Sequence, residues 1–112
     1  MEENMELMVR KEENAVIVSV IGWMDAVAAP QFDKRLETLM EEGETRIIID
    51  FKDLEYISSA GLQTILAAAK KMEEVNGEIV LLHLKDAVKE VFEISGFDMI
   101  FRVFDDQDAA LA

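Results

Sequence analysis

Two short apolar runs, R-I-I-I-D-F at residues 46–51 and E-I-V-L-L-H-L at 78–84, restrict the fold of this chain more than any other feature. Each is almost unbroken and rich in branched aliphatic residues, the pattern of a strand covered on both faces by helices. Between them Leu62, Ile65, Leu66, Ala69, Met72 and Val75 recur at three-and-four spacing, which predicts a helix of about four turns up to the turn pair Asn76-Gly77. Strand, helix, strand in that order makes a right-handed parallel crossover. The chain is therefore expected to be α/β, with the 46–51 run central in its sheet.

The flanking segments extend that reading. Glu6 to Arg10 and Ala15 to Ile21 are β-rich runs separated by the polar K-E-E-N, which predicts a hairpin. The pattern then breaks at Gly22 and resumes as a helix near Pro30, where the missing N–H of proline costs nothing in the first turn. Phe32, Leu36, Leu39 and Met40 share one face of this helix, and Gly43 is placed to stop it. A third helix over Asp86 to Ser95 is expected to bury Val88, Val91 and Phe92; Gly96 ends it, and M-I-F-R-V-F reads as a last short strand. The acidic tail, 105–112, is expected to fray. The result is one domain over residues 1–112, a mixed β-sheet with helices packed against it, without linker or repeat.

Composition excludes several classes. The formal net charge is -13, which opposes nucleic acid and anionic membranes and favours a basic or mixed-charge protein partner. There is no cysteine, hence no disulfide or thiolate chemistry, and no apolar run approaches the roughly 18 residues that span a bilayer. The expectation is a cytoplasmic protein. Dispersed acidic residues give no metal site, and neither phosphate-loop nor dinucleotide glycine pattern occurs, so no cofactor is expected. The seven methionines read as packing material.

The informative stretch is E-Y-I-S-S-A-G-L-Q, residues 55–63, two serines between an apolar run and a helix start. A serine hydrolase would need a base in reach, yet the one histidine, His83, lies in an apolar run and reads as a satisfied core or edge residue. No G-x-S-x-G elbow is present. A serine in this place caps the helix, and only one of the pair is needed for that. A phosphoryl group here would meet unpaired first-turn N–H groups and the positive end of the helix dipole, so the fold could tolerate the charge while a partner could not. Ala60 and Gly61 would keep the surface low. In open α/β sheets such crevices lie beyond the carboxyl ends of the strands, where 22–25 and 57–59 would converge.

Residues 47–82, I-I-I-D-F-K-D-L-E-Y-I-S-S-A-G-L-Q through E-I-V-L-L, closely resemble the signature region of the STAS family, as found in bacterial anti-sigma factor antagonists. G-W-M-D at 22–25 resembles the family's G-x-x-D, and S-G-F-D-M-I-F-R-V-F at 95–104 its closing segment. The resemblance implies a non-enzymatic domain that binds an anti-sigma factor serine kinase and releases a sigma factor. It implies, too, that the kinase inactivates the domain by phosphorylating a serine before the second main helix and that a phosphatase restores it. Aligned on the Gly-Leu pair, the family's Asp-Ser-Ser/Thr-Gly becomes Ser58-Ser59-Ala60-Gly61, which puts Ser59 in the phosphoacceptor place with Ser58 ranking behind it. Ser58 stands where many members carry aspartate, and Ala60 where they carry serine or threonine. Asp25 matches the family acid beside the switch, its alternative being a helix cap or turn acid. Trp23 is outside the pattern and is either an interface anchor or a plug for one end of the core. The expected partner surface is Trp23, Asp25, Ser58, Ser59, Ala60, Gly61, Leu62 and Gln63, on a monomer or weak homodimer. The competing reading is a free-standing scaffold or sensor, in a stress-signalling assembly or nucleotide-responsive, without a phosphoswitch.

Overall fold

The computed structural model describes residues 4–112; residues 1–3 of the expected domain lie outside it. In chain order the elements are β1 (Met5–Lys11), β2 (Val16–Met24), α1 (Ala29–Glu41), β3 (Arg46–Asp50), β4 (Leu54–Ile57), α2 (Ser59–Glu73), β5 (Glu78–Leu82), α3 (Asp86–Ile94), a 3-10 turn (Phe97–Met99), β6 (Arg102–Phe104) and α4 (Gln107–Leu111). The sheet runs β1-β2-β3-β5-β6, with β4 paired to β2. The hairpin β1/β2 is antiparallel and every other pairing is parallel, so the sheet is mixed, with β3 in the middle as expected.

Period-2 alternation along the strands sorts side chains onto two faces. Val16, Val18 and Val20, Ile47 and Ile49, and Ile79 and Leu81 point to the face covered by α1, α2 and α3, where they meet Phe32, Leu36, Ile65, Met72 and Phe92. Ile17, Ile48, Val80 and Leu82 point the other way and are also fully buried. The expectation of two helix-covered faces holds, but the second cover is one that sequence reading mistook for loose chain. Residues 107–111 form α4, whose Ala110 is buried against those four aliphatics and whose N-cap, Asp106, accepts a bond from the Ala109 N–H at 3.0 Å. The frayed tail is thus corrected: a small residue on a short capped helix fits close to the sheet, and the apolar contact outweighs the acidity of D-D-Q-D.

Four further expectations are revised. The second strand does not break at Gly22; it continues to Met24 with a register shift between Gly22 and Trp23. Gly22 sits at φ +94, where a Cβ would lie 2.1 Å from the Asn4 carbonyl oxygen, so glycine is required for the bend. Strand β4 was not foreseen, because its four residues follow a buried-exposed-exposed-buried pattern instead of alternation. Met99 and Phe101 precede the last strand, which is only Arg102–Phe104. Val75 lies past the end of α2 and is exposed, and Val91 is only partly buried.

Candidate functional site

The end of β2 and the end of β4 deliver the two segments that sequence reading expected to converge. Trp23 pairs with Tyr56 and Met24 with Ile57, and the chain then leaves the sheet at Ser58, whose N–H donates to the Met24 carbonyl at 2.8 Å. Ser58 is extended (φ -89, ψ 168), so its hydroxyl turns back over the first turn of α2 and accepts from the Gly61 N–H at 3.2 Å. It is the N-cap. Ser59 begins the helix and is exposed. Neither its own N–H nor that of Ala60 has an acceptor among the described residues, because the helix offers none to its first donors. The two serines therefore divide the work: Ser58 uses one first-turn donor, while the exposed Ser59 stands at the helix start where two donors have no acceptor among the described residues.

Asp25 shapes the neighbouring wall. Its Oδ1 accepts from the N–H groups of Val27 at 3.1 Å and Ala28 at 2.8 Å, which fixes the turn leading into α1 and presents Val27 almost fully to solvent. This is the turn-acid role weighed above; Oδ2 carries no protein bond among the described residues. Between the starts of α1 and α2 lies a shallow groove with Ala26, Ala29 and Pro30 on one wall and Ala60, Gln63 and Thr64 on the other.

Two of the expected surface residues point inward. Leu62 is buried, and Gly61 is buried for a packing reason: a Cβ there would come within 2.5 Å of Met24 Cγ and 2.9 Å of Ile57 Cγ1. Gly61 does not keep the surface low; it lets the first turn of α2 sit on β2 and β4. Trp23 does not plug the core. It projects from the sheet side opposite buried Met24 and stacks on exposed Tyr56, centroids 4.8 Å apart at 31°. Tyr56 and Val27 were missed, although Tyr56 stands two residues before the cap and could have been found by asking what faces Trp23 across a strand pair.

Among the described residues no catalytic constellation forms around either serine. His83 Nδ1 is 2.9 Å from Asp50 Oδ1, which also accepts from the Lys52 N–H, and no serine among them bonds to the ring. Among the described residues no group of three potential ligands could hold a metal ion, and no helix is long and apolar enough to cross a membrane.

The mixed sheet with a capping serine and an exposed serine at the start of its second helix, and a turn acid at the end of β2, lies, but for Met5, within residues 6–110, which match the family described as STAS domain. The chain belongs to the STAS family. BtrV of Bordetella bronchiseptica, named as an anti-sigma factor antagonist, is 42% identical over 108 residues, spanning 96% of this chain and 93% of its own. Among solved structures, an anti-sigma factor antagonist from Mycobacterium paratuberculosis superposes with TM-score 0.88 at 22% identity, over 96% of this chain and 92% of that one. The Bacillus cell fate determinant SpoIIAA in its phosphorylated form superposes with TM-score 0.73 at 24% identity, over 93% and 96%. These two likenesses concern the fold.

The division of labour between the serines is testable on this STAS domain alone. Ser58→Ala removes the cap and is expected to cost about 1 kcal/mol of stability, whereas Ser58→Asp, which caps equally well, costs nearly nothing. Urea unfolding of both variants checks this; equal losses would mean that the hydroxyl serves something other than the helix end.

Proposed function

We propose that this STAS domain is an anti-sigma factor antagonist. It binds an anti-sigma factor that is also a serine kinase, frees the sigma factor, and is switched off when that kinase phosphorylates Ser59; a phosphatase resets it. The observation that carries this reading is the exposed Ser59 at the first turn of α2, with two unused N–H groups beside it while Ser58 already satisfies the cap. The name of BtrV and the phosphorylated state of SpoIIAA support it. The partner surface comprises Asp25, Trp23 with Tyr56, Ser58, Ser59, Ala60 and Gln63, a patch with an aromatic ledge at one side and an acid at the other. Gly61 and Leu62 act from beneath by holding α2 in place.

The experiment is phosphorylation with the anti-sigma kinase encoded nearest this chain, ATP and Mg2+, with the site mapped by mass spectrometry. A single phosphate on Ser59, lost in Ser59→Ala and retained in Ser58→Asp, is the expected outcome. No label, or label confined to Ser58, would remove the switch from this reading and leave a constitutive binding module.

A further inference from the structure

The opposite end of α2 carries a feature the switch does not use. The C-terminal ends of α1 and α2 lie side by side, and between them is a groove of about 490 Å3 lined by Met40, Val75, Glu37, Glu41, Lys71 and Glu74. Its apolar part is open: Val75, which the helical periodicity assigns to the core face, is 58% exposed, and Met40 is only partly buried. Its charged part is unbalanced. Lys71 Nζ bonds Glu37 at 2.9 Å, and that bond, with Asp33 and Glu74 nearby, holds the ammonium above its ordinary range. The one lysine of the groove is thereby committed, and among the described residues no cation pairs with Glu41 or Glu74.

The helices add to this imbalance. Both present their C-terminal ends here, the negative end of the helix dipole; α2 carries Lys70 and Lys71 in its last turn, whereas α1 has no basic residue in its own. Acidic side chains at that end are locally unfavourable, and a cation from outside would relieve three sources of repulsion at once: the carboxylates, the terminal carbonyls and the net charge of -13.

We infer that this groove docks a basic amphipathic segment of a partner protein. Its apolar residues would cover Met40 and Val75, and its lysines or arginines would reach Glu41, Glu74 and the carbonyl end of α1. The same carboxylates repel nucleic acid and anionic lipid. A second copy of this chain brings the same negative charge and is opposed for that reason. Ser59 begins the 15-residue α2 and Lys71 of the groove lies in its last turn, about 18 Å away along the helix, so a partner can occupy both ends and phosphorylation leaves this end unchanged. The inference does not rest on the switch.

The test uses the full chain, labelled for amide NMR, and a synthetic 14-residue peptide with leucines at helical spacing and lysines elsewhere. The control peptide has the same lysines with serine for leucine. The leucine peptide is expected to shift the amides of Met40, Glu41, Lys71 and Val75 and to bind at least tenfold more tightly than the control. Val75→Asp and the pair Glu41→Lys with Glu74→Lys should each lose at least tenfold; Asp105→Lys with Asp108→Lys, the same charge change at α4 on the opposite face of the sheet, and Ser59→Asp should stay within twofold. Folding of each variant is checked by its thermal transition. Equal binding of both peptides, equal loss in both charge pairs, equal affinity of spermine for these amides, or shifts of Met40 and Val75 with protein concentration alone would overturn the proposal. Those outcomes would indicate diffuse attraction, a bare cation site or a second copy. Binding retained in Ser59→Asp together with an absent phosphate label would separate failure of the switch from failure of this groove.

Discussion

Phosphorylated on Ser59, the protein is expected to bind the proposed anti-sigma kinase at least a hundredfold more weakly than the unmodified form, with its thermal midpoint moved by no more than about 2 °C. The weakening follows from charge. The phosphate carries nearly -2 at neutral pH, and one partner carboxylate roughly 6 Å away at an effective dielectric of about 20 would cost about 5 kcal/mol. Screening and relaxation reduce that, and burying a dianion at an interface adds to it; a hundredfold corresponds to about 2.7 kcal/mol. The fold is spared because Ser59 is exposed, the N–H groups of Ser59 and Ala60 are unused, and the start of α2 is the positive end of its dipole. Titration calorimetry of both forms, with a thermal scan of each, measures the two quantities. A change in affinity below threefold would sink the switch, and a midpoint lowered by more than 5 °C would mean that it works by unfolding. Ser59→Asp carries one charge on a shorter arm and is expected to lose less, about tenfold.

The sequence disclosed those parts of the fold that rest on long or strongly patterned segments. R-I-I-I-D-F is central because nothing polar interrupts it, and the α2 face is right from Leu62 to Met72 because tertiary packing and periodicity agree there. Where they part, at Val75, the helix has ended and the side chain falls outside the core. Elements shorter than about one and a half turns or one alternation period leave no such imprint. Strand β4 shows only Leu54 and Ile57 inward, and α4 shows one buried alanine, so both depend on partners far away in sequence, Gly22 to Met24 and the 17/48/80/82 face.

The site was legible in residue type and only half legible in role. Ser58 and Ser59 are adjacent and chemically alike; only the extended backbone at Ser58, which aims its hydroxyl at the Gly61 N–H, assigns the cap to one and leaves the other outward. Gly61 shows the limit from the other direction. Its lack of a Cβ was read as openness toward a partner, whereas the close approach of Met24 and Ile57 makes it a requirement of the interior.

Phe92→Ala is expected to cost about 3–5 kcal/mol of unfolding free energy, the largest stability effect we assign to a single side chain. Phe92 is fully buried and links the two ends of an aromatic chain: its ring meets Phe51 at 5.1 Å and 61°, and Phe97 at 5.7 Å and 84°, and Phe97 in turn meets Phe101 at 5.6 Å. Truncation removes two edge-on ring contacts along with the transfer free energy of the side chain, and Phe51, just past β3 and tied by its N–H to the Leu82 carbonyl, cannot follow α3 to close the void. Since a domain of this size holds about 5–15 kcal/mol in total, the variant should unfold at much lower urea, and Phe92→Leu, which keeps most of the volume, should lose less than half as much. The slope of the urea transition should stay constant in both. A loss below about 1.5 kcal/mol for the alanine variant would mean that α3 settles onto the sheet without its aromatic anchor. The Cβ-free Gly61 lets the start of α2 pack directly on Met24 and Ile57, so affinity for the proposed anti-sigma kinase, corrected for the folded fraction, should be unchanged even though α3 also packs against β4. A drop in that corrected affinity would show that the aromatic chain also sets the position of the surface around Ser59.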